Sequence, residues 1–358
     1  MSVYFDPTVY YPVDPGPYGI TAADFTGTGI MDLAIACNQN ESVTILLGNG
    51  NGTFKPAVTY PVGINPTSVT AADFNMDGFL DLAVTDSNGG DIAVLFGYGD
   101  GTFQAAIALA ASPNPINIVS ADFRGNGNMD LAITDAASNF VGVFLGNGNG
   151  TFQVMVTYAL SAPSDGIVAA DFNGDGIIDL ATACGDNQIN VLLGNGDGTF
   201  MAAVPYPAGT GIMYISANDF NGDGNIDLAV TNYDTNTVAI LLGNGNGTFQ
   251  APTFFPAGGS GTSGITSADF NGDGKIDLAV TNVDSNNVAI LLGNGNGTFQ
   301  GGQFFSTNNY PANIVSADFN MDGKIDLAVI DFYSNDAGIL INKTSTRGIC
   351  FSNTEAIF

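Results

Sequence analysis

Apolar residues in this chain come in short runs of four to six, rich in Val, Ile and Leu, with Gly, Asn and Asp closing each run on both sides. Runs of that length between turn residues read as buried β-strands; an amphipathic helix needs longer stretches at a 3.6-residue period. One stretch shows the order well. Residues 265–268 lead into an acidic loop, then come 278–281, a polar turn, 288–292, a Gly-Asn-Gly hairpin and a last extended piece. Asn-Gly pairs supply the positive φ of tight hairpins. The pattern predicts four short antiparallel strands.

That pattern repeats. Asp-Phe recurs at Asp24, Asp73, Asp122, Asp171, Asp219, Asp269 and Asp318, at intervals of 49, 49, 49, 48, 50 and 49 residues. A four-stranded unit of this length fits a propeller blade, and seven fill the chain without a linker. The expected fold is all-β: one seven-bladed β-propeller over residues 1–342, with a tail at 343–358 outside the repeat. The last unit lacks the Gly-Asn-Gly hairpin, while residues 8–13 (Thr-Val-Tyr-Tyr-Pro-Val) match the final strand at 58–62. The N-terminal strand is therefore expected to complete the seventh blade and close the ring, which removes open sheet edges.

The candidate chemistry lies in the nine residues that open each unit. Oxygen side chains at positions 1, 3, 5 and 9, with a main-chain carbonyl at position 7, can wrap a hard cation; calcium takes about six to eight oxygens. Glycine stands at position 6 in all seven copies, where the sharp turn falls. Five copies hold the full set: Asp73, Asn75, Asp77, Phe79 and Asp81; Asp171, Asn173, Asp175, Ile177 and Asp179; Asp219, Asn221, Asp223, Asn225 and Asp227; Asp269, Asn271, Asp273, Lys275 and Asp277; Asp318, Asn320, Asp322, Lys324 and Asp326. Calcium is expected in about five sites. The first copy keeps Asp24 and Asp32 but has Thr26 and Thr28, so metal there is expected to be weak or absent. The third keeps Asp122 and Asp130 but carries Arg124, whose guanidinium can replace a cation by pairing with both carboxylates. An EF-hand is excluded, because position 12 holds Ile35, Val84, Ile133, Thr182, Val230, Val280 and Val329 where a bidentate Glu is needed.

Composition narrows the function. The 358 residues carry 34 acidic against 6 basic side chains, a formal charge of −28. Phosphate recognition needs Lys and Arg, so nucleic acid is disfavoured. No apolar run approaches the ~18 residues of a membrane span. There is no His, which removes Ser-His-Asp and Cys-His systems. Cys37, Cys184 and Cys350 have no metal-ligand spacing, and Cys37 and Cys184 read as buried small residues. Acids at strand ends (Asp86, Asp135, Asp186, Asp234, Asp284, Asp331) recur near one turn position and read as turn chemistry.

The Asp269–Asp277 loop and the Gly-Asn-Gly-Asn-Gly-Thr-Phe run at 293–299 resemble the FG-GAP or VCBS repeat of the integrin α-subunit propeller, over about residues 5–342. The resemblance implies calcium in loops on one face and a ligand site on the other. The opposite face is expected to carry Tyr18, Phe140, Tyr214, Tyr233, Tyr310, Phe332 and Tyr333, aromatic groups suited to sugar stacking. These readings lead to a non-enzymatic, calcium-stabilised binding module, extracellular or at a cell surface, for carbohydrate or a protein ligand such as a surface glycoprotein, with a monomer expected. The alternatives are an accessory or catalytic propeller of a polysaccharide-degrading enzyme and a structural spacer.

Overall fold

Burial decides how the predicted strands assemble. Asp32–Cys37 and its counterparts, such as Asp81–Asp86 and Asp179–Cys184, are buried along their whole length. A strand buried on both faces must lie between two layers. The outer strands, such as Val58–Pro61 and Thr253–Pro256, are largely exposed. A radial stack of blades satisfies both patterns.

The computed structural model describes residues 2–345. It contains seven four-stranded antiparallel sheets, and no helix occurs among the described residues. The first sheet runs from inside to outside as Pro17–Ala23, Asp32–Cys37, Ser42–Leu46 and Val58–Pro61. The core is divided into seven apolar clusters, each between neighbouring blades. One of them joins Leu33 and Ile35 of the first blade to Ile330 and Ile339 of the seventh, so the ring is closed. The closing strand is the N-terminal one: Val9–Pro12 pairs antiparallel with Asp336–Ile339.

Every inner strand begins with a shift in register. The unpaired residues are Tyr18, Thr67, Ile116, Asp165, Met213 with Tyr214, Ser263 with Gly264, and Ala312. A bulge re-aims the side chain it carries. The inner strand runs toward the acidic loop, so these bulges lie at the opposite end of the blade. The expected burial of Cys37 and Cys184 holds, and both are free thiols. Cys350 and the tail from 346 onward lie outside the described residues. The start of the tail is tied to the N-terminus: the Lys343 amide donates to the Tyr4 carbonyl at 2.8 Å, and the Tyr4 amide to Thr344 Oγ1 at 2.9 Å.

Candidate functional site

The acidic loops are built alike, and the fourth shows the plan. Asp171 accepts amides from within its own loop: Gly174 N reaches Oδ1 at 2.7 Å and Gly176 N reaches Oδ2 at 2.8 Å. Asn173 accepts the Asp175 amide at 2.9 Å and donates Nδ2 to Asp175 Oδ2 at 2.9 Å. Asp175 Oδ1 accepts the amide of Ile177 at 2.8 Å. Gly174 and Gly176 both sit at positive φ, which the winding of the loop requires.

Position 9 has a task the sequence did not reveal. Asp179 is fully buried and clasps two segments: Phe172 N donates to Oδ2 at 2.9 Å, and Gly194 N of the neighbouring hairpin donates to Oδ1 at 2.7 Å. Asp81, Asp227, Asp277 and Asp326 do the same. Burial, helped by the charges at positions 5 and 1 and opposed by the two amides, pushes these carboxyls up to about 6. The Phe at position 2 anchors the loop to the next blade. Phe25 meets Phe103 edge-on at 5.4 Å, and Phe172 meets Phe249 at 5.6 Å.

The donor set of the five full loops is all oxygen, with three carboxylates and an amide within nine residues, which fits a hard cation. Among the described residues, however, the carboxylates are not gathered into a ready-made group of three. They are spread over loop amides. The third loop carries a cation of its own. Arg124 Nη2 lies 2.6 Å from Asp130 Oδ1, its Nε 3.3 Å from Oδ2, and Nη2 also reaches the Gly146 carbonyl. This corrects one expectation: the guanidinium pairs with Asp130 alone, while Asp122 takes loop amides such as Gly127 N. The Nε–Nη2 edge of the guanidinium is taken up by Asp130 and the Gly146 carbonyl. In the first loop the Thr26 and Thr28 hydroxyls meet at 2.8 Å and Thr26 donates to Asp24, replacing the Asn–Asp contact of the full loops.

On the opposite face the structure gathers most of the expected aromatic residues. Tyr310, Phe332 and Tyr333 form a cluster, with Tyr310–Tyr333 and Phe332–Tyr333 centroids both at 5.0 Å. Tyr18 meets Phe332 edge-on at 6.3 Å. Tyr333 is 61% exposed. Tyr233 lies close enough for its charge to push the Tyr310 phenol up, after burial, which is the larger cause. Tyr214 sits with Tyr18 in a cavity on the ring axis. Phe140 does not join them; it opens the third strand of its own blade and pairs with Ala159. Tyr310 is held at φ +65°, where the matching residues of other blades are Gly16, Asn65, Gly211 and Gly261.

The strand-end acids divide. Asp135 caps the turn, accepting the amides of Asn114 and Ala137. Asp86 and Asp331 accept one amide each but also face a second carboxyl across the strand pair, Asp91 and Asp336 respectively. One oxygen of each of these four carboxyls is buried without a partner. Turn chemistry alone does not describe them.

A ring of seven four-stranded blades with a repeated acidic loop defines a β-propeller of the repeat-built kind. The model of the FG-GAP-like repeat matches residues 24–84, 73–133, 132–182, 171–230, 219–280 and 269–329, so the chain belongs to the FG-GAP-like repeat family. No curated protein sequence matches the chain. Several solved structures share the fold. A lectin of Agrocybe aegerita, described as recognising non-reducing terminal N-acetylglucosamine, is 18% identical at a TM-score of 0.60, over 93% of this chain and 97% of that one. BBS1N, solved in complex with ARL6DN, is 12% identical at 0.64, over 95% and 97%. Virginiamycin B lyase from Staphylococcus aureus, solved as a catalytically inactive variant with quinupristin, is 18% identical at 0.60, over 94% and 99%. The lyase corrects the expectation that this chain is not an enzyme: a propeller of this fold carries catalysis there, so the architecture does not exclude an activity.

Proposed function

We propose that this protein is a calcium-stabilised extracellular binding module that recognises carbohydrate on the face opposite its acidic loops. The aromatic cluster of Tyr18, Tyr310, Phe332 and Tyr333 carries the reading. A half-exposed set of rings beside hydroxyls and amides suits the apolar face and hydroxyl rim of a sugar. The strained backbone of Tyr310 supports it further. A bulky residue at positive φ costs about 1–2 kcal/mol, and such strain concentrates at functional positions. The Agrocybe aegerita lectin, a protein of this fold described as recognising non-reducing terminal N-acetylglucosamine, supports the reading.

The calcium part rests on the five full loops and on Arg124, a cation fixed on Asp130 where the loop lacks its own set. Asp, Asn and main-chain oxygens at positions 1, 3, 5, 7 and 9 would hold the ion. When bound, it supplies neutralisation of the loop carboxylates and so rigidity. Calcium near millimolar levels outside cells would fill sites of moderate affinity and stabilise the ring by linkage.

A glycan screen run in calcium and again in chelator tests the proposal. Specific binding in calcium, lost in the Tyr333→Ala variant, is the expected result. A blank screen with folded protein overturns the carbohydrate reading and favours a protein ligand, the use made of the ring in the BBS1N–ARL6DN complex.

A further inference from the structure

Bulge residues of five of the seven inner strands line a cavity of about 270 Å3 at the ring axis. Its polar residues include Tyr18, Ser68, Asn117, Asp165, Tyr214 and Asn313. Much of this polarity is already used. Ser68 Oγ donates to Asn117 Oδ1 at 2.9 Å, and the Asn117 and Asn313 oxygens accept the amides of Ile118 and Ile314. Asp165 differs. It is the one charged residue at any of the seven bulges, and among the described residues nothing donates to its carboxylate and no cation pairs with it. Burial pushes this carboxyl up, with no opposing contact.

The rest of the face has the same sign. Asp14, Glu41, Asp186, Asp234 and Asp284 stand at its turns. The described basic residues, Lys55, Arg124, Lys275, Lys324 and Lys343, belong to the loops and hairpins of the other face. A half-enclosed carboxylate with no internal partner, under a field of one sign, calls for a positive ligand. A hard metal ion is a poor match, since it needs about six oxygens and the cavity offers one carboxylate among aromatic rings and amide donors. An ammonium group suits both: it makes charge-assisted hydrogen bonds to the carboxylate and is attracted to tyrosine faces.

We propose that the axial cavity seats the ammonium group of an amine-bearing sugar on Asp165, beside Tyr18 and Tyr214. The inference rests on the carbohydrate reading above, because Tyr18 lines the cavity and also meets Phe332 of the aromatic cluster. A sugar stacked on that cluster can therefore extend into the cavity along one ring.

Calorimetric titration with a short glucosamine oligomer and with its N-acetylated counterpart, against the calcium-loaded protein, tests it. The wild type should bind the free amine at least about tenfold more tightly, and Asp165→Asn should abolish that preference, as removal of a charge-assisted contact does. Asp234→Asn serves as the control. It removes the same charge from the same face, so it should keep the preference; diffuse attraction would fall equally in both variants. Equal binding of the two oligomers, or a preference that survives Asp165→Asn, overturns the inference and leaves the carbohydrate reading standing. Failure of the folded wild type to bind either oligomer or any other glycan removes both.

Discussion

Phe5 pairs with Asn342 across an antiparallel bridge that is the counterpart of Gly48 with Phe54 and Gly97 with Phe103 in the complete blades. The seventh unit has no hairpin phenylalanine of its own, and the N-terminus supplies it. Asn342 takes over a second task as well. Its Nδ2 donates to the Phe270 carbonyl at 2.8 Å, where Gly101 N serves Phe25 and Gly297 N serves Phe220. The ring is thus closed by a strand and also by a substitute for a missing loop contact. Phe5 is 5% exposed and meets Phe305 edge-on at 4.9 Å. Phe5→Ala should cost about 3–5 kcal/mol, the range for a buried Phe truncation. Denaturant unfolding measures it, and a loss under about 1 kcal/mol would show that the closing strand alone holds the ring.

Position 9 and position 5 of the loops should separate metal binding from structure. Asp179→Ala leaves two buried amides without acceptors, at about 1–3 kcal/mol each, so it should destabilise the protein even in chelator. Asp175→Ala should be close to neutral in chelator and should lower the calcium count by one. Melting curves with and without calcium, together with elemental analysis, check both. An unchanged melting temperature on chelation of the wild type, with no metal found, would remove calcium from the proposal.

The third loop offers a gain-of-site test. Arg124→Ala strips the buried Asp130 of its ion pair and should cost about 3–5 kcal/mol, the usual price of breaking a buried pair on one side. Arg124→Asn combined with Asn126→Asp restores the pattern of the full loops. That double variant should bind one calcium more than the wild type and recover stability in calcium but not in chelator.

Asp86 and Asp91 predict a pH effect. Burial, then the charge of Asp91, pushes the Asp86 carboxyl from 3.8 up to about 8. A carboxyl raised in the folded state binds more protons folded than unfolded, so its contribution is fully present below pH 3.8 and is lost as pH rises to about 8. The sixth blade has Asn282 and Asn287 at the same place, joined by Nδ2 donating to Oδ1 at 2.9 Å. Asp86→Asn should reproduce that bond. In chelator, the variant should match the wild type near pH 4 and melt higher near pH 9. Parallel melting curves across that range would refute the pairing.

Tyr310→Asn tests the strained tyrosine. Asn65 occupies the matching position at φ +59°, and Asn tolerates that backbone better than Tyr. The variant should keep its melting temperature or gain up to about 1 kcal/mol, while losing glycan binding. Retained binding would place the sugar away from the cluster.

The sequence alone determined the ring. Seven copies of a 48–50-residue unit, strand runs bounded by turn residues and a C-terminal unit lacking its last strand leave few other folds. Local chemistry sufficed there, because strand, hairpin and loop are each specified within a few residues. The loops at Asp73, Asp171, Asp219, Asp269 and Asp318 were legible for the same reason. What the sequence could not show depends on register and on which elements meet in space. Position 9 reads as one more ligand until Gly194 N is seen to come down on Asp179 from the neighbouring hairpin. The Asp86–Asp91 pair depends on cross-strand register. Nothing in the local sequence marks Asp165. Only ring closure, with a bulge in each inner strand, turns it toward an axis shared with Tyr18 and Tyr214, residues more than a hundred and about fifty positions away. Periodicity is written locally and fixes the blades; the axis belongs to no single blade, so its contents are decided by the tertiary structure.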